Sequence, residues 1–195
     1  MTPKIYLASK SPRRQALLHQ MQISFDVLDI EVPEECIPGE SPETYSLRIT
    51  HEKLQGAWNA MEARHIEYRP ILCADTEVIL DHQIIGKPKD RHDAYRMLKN
   101  YSNREHMVLT SVGIRDKHGE HILQNKTFVK FATLTDADIE QYLNNNDYLD
   151  KAGAYGIQSS IAQFIEKING CFYSVMGLPL HAVKTLLDDI SHNHI

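Results

Sequence analysis

The chain has 195 residues, 42% of them hydrophobic and 24% charged, and a net charge of −5. That length supports a substantial core, as one large domain or two small ones, and the negative balance makes any basic site local and argues against a general nucleic-acid surface. The amino terminus lacks the apolar run of a secretory signal, and no stretch approaches the roughly 20 apolar residues of a membrane span.

The first predicted element is a strand, Ile5-Tyr6-Leu7-Ala8, followed by a helix start in which Ser11 suits the N-cap and Pro12 the first helical position. A first helical turn points free N–H groups outward and prefers Asp or Glu, yet this one carries Arg13 and Arg14, with Lys10 just before. Such a cluster is at ease only beside something negative, and a phosphate or polyphosphate is the natural guest. The plainer alternative is a solvated basic helix end.

The helix is expected from Pro12 to Met21, with Leu17, Leu18 and Met21 on one face, and a second strand from Ser24 to Ile30. An acidic loop follows, Glu31-Val32-Pro33-Glu34-Glu35, closed by Pro38-Gly39. Ser41-Pro42-Glu43 repeats the Ser-Pro helix start, here with the favoured acid, and predicts a helix from Pro42 to about Arg64 that carries Arg48 and Lys53. Pro70-Ile71-Leu72-Cys73-Ala74 reads as a strand covered on both faces, expected to stop at Asp75-Thr76. Glu77–Leu80 and Gln83–Ile85 then suggest a hairpin turning at Asp81-His82.

After Gly86-Lys87-Pro88 a helix opens at Asp90, with Asp93 three residues on as a near-capping box. His106–Ile114 and His121–Ala132 predict an antiparallel pair of strands, and Thr135 caps a helix ending near Asn144. A small-residue loop spans Asp150 to Gln158, then strands are expected at Gln163–Ile168 and Phe172–Met176 around a turn at Asn169-Gly170. The last helix starts at Pro179 and bears Leu180, Val183, Leu186 and Leu187, and His192–Ile195 reads as a frayed tail. With no repeat or linker, the chain reads as a single mixed α/β domain over residues 1–195, with two lobes flanking a cleft.

Among residues that could do chemistry, Asp75 stands first. A carboxylate closing an apolar strand is costly unless it meets a cation or donor, though it could equally cap the turn to Thr76. Glu34 and Glu35 read most simply as solvated acids, and Lys53 as a helix-surface lysine. Lys87 is held by the stiff backbone between Gly86 and Pro88, while Gly153 and Gly156 permit close backbone approach. Cys36, Cys73 and Cys171 are odd in number and widely spaced, as reduced thiols in a cytoplasm are. The eleven histidines form no zinc spacing and read mostly as surface residues. P-loop, Rossmann and nucleophile-elbow motifs are missing.

Four segments taken in order are more specific than any one alone. Ala8-Ser9-Lys10-Ser11-Pro12-Arg13-Arg14, Ala74-Asp75-Thr76, Gly86-Lys87-Pro88 and Lys151-Ala152-Gly153-Ala154-Tyr155-Gly156-Ile157-Gln158 together resemble the Maf family of nucleoside triphosphate pyrophosphatases. Lys167-Ile168-Asn169-Gly170 and Gly177-Leu178-Pro179 extend the likeness over nearly the whole chain. The resemblance implies an α/β fold related to inosine triphosphate pyrophosphatases, with an elongated mixed sheet flanked by helices and a deep cleft between two lobes. It also implies metal-dependent hydrolysis of a nucleoside triphosphate to the monophosphate and pyrophosphate. The Gly-Ile-Gln ending of the fourth segment is similar to the branch acting on dTTP and UTP.

By residue, the resemblance places the general base on Asp75 and substrate choice on Arg13, Thr76 and Gln158. It places phosphate and metal positions on Ser9, Arg14, Glu34, Lys53 and Lys87, with Asp75 and Glu34 toward a divalent cation, Mg²⁺ or Mn²⁺. Two departures stand out: Cys73 where the family often has Gly, and Ser159-Ser160-Ile161-Ala162, which is less glycine-rich than usual. The expected role is a cytoplasmic house-cleaning enzyme, with a homodimer suggested by the resemblance alone and no nucleic-acid or membrane partner. The alternatives are the same chemistry on a modified nucleotide such as 7-methyl-GTP, or a nucleotide-binding regulator of cell division with incidental hydrolysis.

Overall fold

The computed structural model describes residues 3–192. Strands assemble in the order β2 (Phe25–Val27), β1 (Ile5–Leu7), β3 (Ile71–Leu80), β5 (Glu105–Asp116), β6 (Gly119–Phe131) and β7 (Ile165–Asn169), with β4 (Gln83–Ile85) pairing β3, so parallel and antiparallel pairs share one sheet flanked by helices. The chain divides into two compact units. One takes residues up to Asp75, Thr110–Asn125 and the chain from Gly177 onward, and the other takes Thr76–Leu109 and Lys126–Met176.

In the first unit β1 (Ile5–Leu7) is fully buried, as an apolar triplet in a central parallel strand should be. It lies between β2 (Phe25–Val27) and the start of β3 (Ile71–Leu80), both parallel to it, with Leu7 opposite Val27 and Leu72. Two Ser-Pro starts give α1 (Pro12–Gln20) and α2 (Pro42–Ala63), capped by the Ser11 and Ser41 hydroxyls. Leu54, Ala57 and Met61 of α2 pack on Tyr6, Ile71 and Cys73. Gly113, on β5 (Glu105–Asp116), allows this closeness, because a Cβ there would stand 2.9 Å from Leu54 Cδ1 and 3.0 Å from Ile122 Cγ1. The long α6 (Leu180–His192) completes the unit, burying Val183, Leu186 and Leu187.

In the second unit β4 (Gln83–Ile85) folds back antiparallel on the end of β3, with Ile79 opposite Ile84. Helix α3 (Arg91–Tyr101), the later part of β6 (Gly119–Phe131) and α4 (Asp136–Leu143) surround a core that includes Leu98, Tyr101, Phe131 and Ile139. Strand β7 (Ile165–Asn169) pairs antiparallel with β6, Val129 facing Ile168.

Several expectations need correction. Strand β3 does not stop at Asp75; it runs unbroken to Leu80, so Asp75 lies mid-strand and caps no turn. The second strand is only three residues long because β1 itself offers three partners. Ser160–Phe164 is a 3₁₀ turn, so β7 starts at Ile165. Phe172–Met176 is no strand: Phe172–Val175 forms a single helical turn, α5. The Thr127 hydroxyl accepts from the Cys171 N–H at 3.0 Å, Gly170 adopts φ +132°, and the Ser174 N–H bonds back to the Cys171 carbonyl. At α3 the Asp93 carboxylate accepts from the Lys89 N–H, one residue short of a true capping box, whereas Thr135 and Asp138 form the full box at α4. Of the tail, 193–195 lie outside the described residues.

Candidate active site

The loop from β1 to α1 builds the first half of the site around Arg14. The Ser9 hydroxyl accepts from the Ser11 N–H at 3.2 Å and from Arg14 Nη1 at 3.1 Å, while Arg14 Nε donates to the Gly177 carbonyl at 2.9 Å. Burial lowers the pKa of the Arg14 guanidinium, and the nearby charges of Asp75 and Glu34 act against that fall. Arg13, half-buried beside it in the same acid-free turn, adds a second cation whose charge Arg14 feels. Lys10 does not join them. It turns outward to Asp29 at 2.8 Å, so two cations rather than three occupy the helix start.

The second half is a carboxylate–ammonium–carboxylate chain. Lys53, from the middle of α2, places Nζ 2.6 Å from Asp75 Oδ1 and 2.6 Å from Glu34 Oε1. Asp75 is only 5% exposed, and its other oxygen, Oδ2, has no hydrogen-bond partner among the described residues. A buried carboxylate oxygen without a partner is costly, which makes it a receptor for a proton or a cation. Burial pulls the Lys53 pKa down, but the charges and hydrogen bonds of Asp75 and Glu34 outweigh it and the net shift is upward. Lys53 therefore stays an ammonium. Cys73, two residues before Asp75, buries its thiol against the Thr50 carbonyl at 3.3 Å, and burial pushes its pKa up to about 12.

Glu34 and the unpartnered Asp75 oxygen are hard donors of the kind Mg²⁺ and Mn²⁺ choose. Among the described residues no set of three or more His, Cys, Asp or Glu gathers around a point. Two protein carboxylates still fit a Mg²⁺-type ion, which commonly takes one or two and completes its shell with water and substrate phosphates.

The remaining candidates belong to the second unit. Thr76 follows Asp75 on β3, and strand alternation sends its side chain to the opposite sheet face. Lys87 is exposed, and the Gly153 N–H donates to the Gly86 carbonyl at 2.9 Å, so the third and fourth motifs meet. Gly153 adopts φ +71°, and a Cβ there would lie 2.9 Å from Tyr101 Oη and from Val78. Lys151 pins the loop from within, pairing with Asp150 and donating to the Asp147 carbonyl. Gln158 is exposed at its end.

One residue escaped the reading of the histidines as surface groups. His106 is 3% exposed, and its Nε2 shares a 2.6 Å hydrogen bond with the hydroxyl of Tyr155, the aromatic residue of the fourth motif. Burial lowers its pKa to about 4. The available signal was its place at the head of a strand buried on both faces, where β5 runs buried without a break from Val108 to Ile114.

Fold and site together have the equipment of an α/β phosphate-handling protein: a serine-capped cationic helix start sharing one unit with a buried aspartate held by a lysine. Comparison with known proteins agrees. The chain belongs to the Maf family, matching the family described as Maf-like protein over residues 4–190. It is 44% identical to the dTTP/UTP pyrophosphatase of Ralstonia nicotianae over 95% of this chain and 93% of that one. The proteins of the same name from Chromobacterium violaceum (41%, covering 94% and 93%) and Aliivibrio fischeri (42%, covering 96% and 98%) are similar. Among solved structures, the Staphylococcus aureus Ham1 protein matches with a TM-score of 0.45 at 12% identity, over 67% of this chain and 72% of that one. No helix among the described residues is long and apolar enough to cross a membrane.

Proposed function

We propose that this chain is a nucleoside triphosphate pyrophosphatase that hydrolyses dTTP and UTP in the cytoplasmic pool to the monophosphate and pyrophosphate. The observation that carries the reading is the buried Asp75 carboxylate, fixed through Oδ1 by Lys53 and unpartnered at Oδ2. The full-length likeness to proteins named dTTP/UTP pyrophosphatase supplies the substrate class.

In this reading Asp75 is the general base. Water attacks the α-phosphorus in line, a P–O bond forms as the bond to the α,β-bridging oxygen breaks, and the electron pair leaves with pyrophosphate. The water's proton passes to the Asp75 carboxylate, which Lys53 keeps oriented. Arg13 and Lys87 are assigned to neutralising charge on the phosphate chain, while Ser9 and Gly177 aim Arg14. Asp75 and Glu34 would hold a divalent cation, which when bound supplies charge neutralisation on the phosphate oxygens and lowers the pKa of water. Gln158, with Arg13 and Thr76, is assigned to base choice, since its amide can donate to O4 and accept from N3–H of uracil or thymine.

The test is pyrophosphate release across canonical and modified triphosphates, with Mg²⁺, Mn²⁺ or chelator. Preference for dTTP and UTP with metal is the expected result. Preference for 7-methyl-GTP would overturn the substrate class, and turnover far below about 1 per second on every nucleotide would overturn the enzyme reading.

A further inference from the structure

The loop that carries Glu34, residues 31–40, has no helix or strand of its own, and most of its side chains are exposed. A loop so placed is ordinarily mobile, and Glu34 would swing off Lys53 unless its backbone were held. Two side chains from the first two turns of α2 hold it. The Tyr45 hydroxyl donates to the Glu34 carbonyl at 3.3 Å. Arg48 uses all three guanidinium nitrogens: Nε and Nη2 grip the two Glu40 oxygens at 2.8 and 2.7 Å, Nη2 also donates to the Glu35 carbonyl at 2.8 Å, and Nη1 reaches Glu52 at 3.1 Å.

Glu40 closes the circuit by accepting from the Ile37 N–H at 3.3 Å, and the guanidinium carbon stands 5.5 Å from the centre of the Tyr45 ring. Solvated surface ion pairs hold little, but here the Glu40 side chain is 6% exposed and the contact is a two-pronged fork. The bonds to the Glu34 and Glu35 carbonyls tie the loop to α2, the helix that also carries Lys53, and the Glu40 fork ties down its far end.

We propose that Arg48, supported by Glu40 and Tyr45, is a positioning residue that clamps the acidic loop and presents the Glu34 carboxylate to Lys53 and to the divalent cation. It touches neither phosphate nor metal and acts through the backbone at Glu34 and Glu35. The proposal rests on the assignment of Glu34 as a metal-side carboxylate. Lysine cannot replace Arg48, because a single ammonium cannot serve a forked carboxylate, a second carboxylate and a carbonyl together.

The experiment uses the full chain as wild type, Arg48→Gln, Arg48→Lys, Glu34→Gln and the Arg48→Gln/Glu34→Gln double variant. Three quantities are read: Mn²⁺ affinity of the nucleotide-free protein, amide hydrogen exchange over residues 31–40, and turnover against metal concentration. Outer-shell partners of metal ligands are worth about 10–100-fold in affinity. Both Arg48 variants should lose Mn²⁺ affinity in that range, exchange faster at Ile37, and keep near-normal nucleotide KM at saturating metal. The double variant should be no worse than Glu34→Gln. Multiplying losses in the double variant, or wild-type affinity in Arg48→Gln beside a defective Glu34→Gln, overturns the clamp alone. Wild-type affinity in Glu34→Gln overturns the assignment of Glu34 and, with it, the purpose of the clamp. Should Arg48→Gln fail to fold, Glu40→Gln removes the forked partner while leaving α2 intact, and the same losses are expected.

Discussion

At Lys53 burial and charge pull in opposite directions: desolvation favours the neutral amine, while two carboxylates at 2.6 Å favour the ammonium and prevail. The partner most dependent on that charge is Asp75, the more deeply buried of the two acids. Removing one member of a buried pair leaves the other uncompensated, at about 3–5 kcal/mol. Lys53→Met should therefore lower stability toward the bottom of that range, and Lys53→Met/Asp75→Asn should recover most of it. Urea unfolding of the two proteins measures this, and equal stabilities would show that the pair does not hold the strand. Asp75→Asn alone keeps the shape but cannot accept a proton. It should cut turnover by about 10²–10⁴ while leaving nucleotide binding close to normal, as rapid-quench kinetics and equilibrium titration would show.

At the scale of elements, β5, α3 and the fourth motif meet at His106. Its ring centroid lies 4.6 Å from that of Tyr101 and 5.7 Å from that of Phe131, and its Nε2 bonds Tyr155. The folded chain keeps this imidazole neutral down to about pH 4, whereas the unfolded chain protonates near 6.5. Between those values the unfolded state binds the extra proton, so stability is complete above pH 6.5 and drains away toward pH 4, by about 3 kcal/mol. Unfolding free energy measured from pH 7.5 to 4.5 should show that slope, and His106→Phe should flatten it.

Much of this element layer is legible in the residues themselves. Ser11, Ser41, Asp90 and Thr135 each cap the helix they announce, because a cap depends on neighbours within four residues. What escaped depends on distant partners. Asp75 reads as the end of a strand because its counter-charge sits 22 residues earlier, on α2. Phe172–Val175 has the composition of a strand and is a helical turn because Thr127, 44 residues away, captures Cys171. The site shows the same division. Arg14 and Asp75 announce themselves by position, whereas Ser9 and Lys53 enter only through the family resemblance, and the contact that gives Lys53 its worth appears when α2 is laid on β3.

On the scale of the whole molecule, β3, β5 and β6 each contribute residues to both compact units, so neither unit is a separable stretch of chain. Cys73 lies in the shared β3, fully buried and hard to ionise, whereas Cys36 is exposed and Cys171 half-buried. A thiol reagent should modify Cys36 within mixing, Cys171 more slowly, and Cys73 only at the rate of global unfolding. Native-state labelling of Cys73 as fast as Cys36 would mean that β3 opens locally.

The tethered ammonium between Glu34 and Asp75 has a further consequence. One ammonium offsets one of the two carboxylate charges and the nearby Arg14 guanidinium faces the other, so the polypeptide needs no mineral guest to keep its shape. Chelation should silence pyrophosphate release yet move the melting temperature by less than about 2–4 °C, the equivalent of roughly 1 kcal/mol in a chain this long. On that outcome the cation would act as a dimmer on the chemistry alone, with the architecture never at stake.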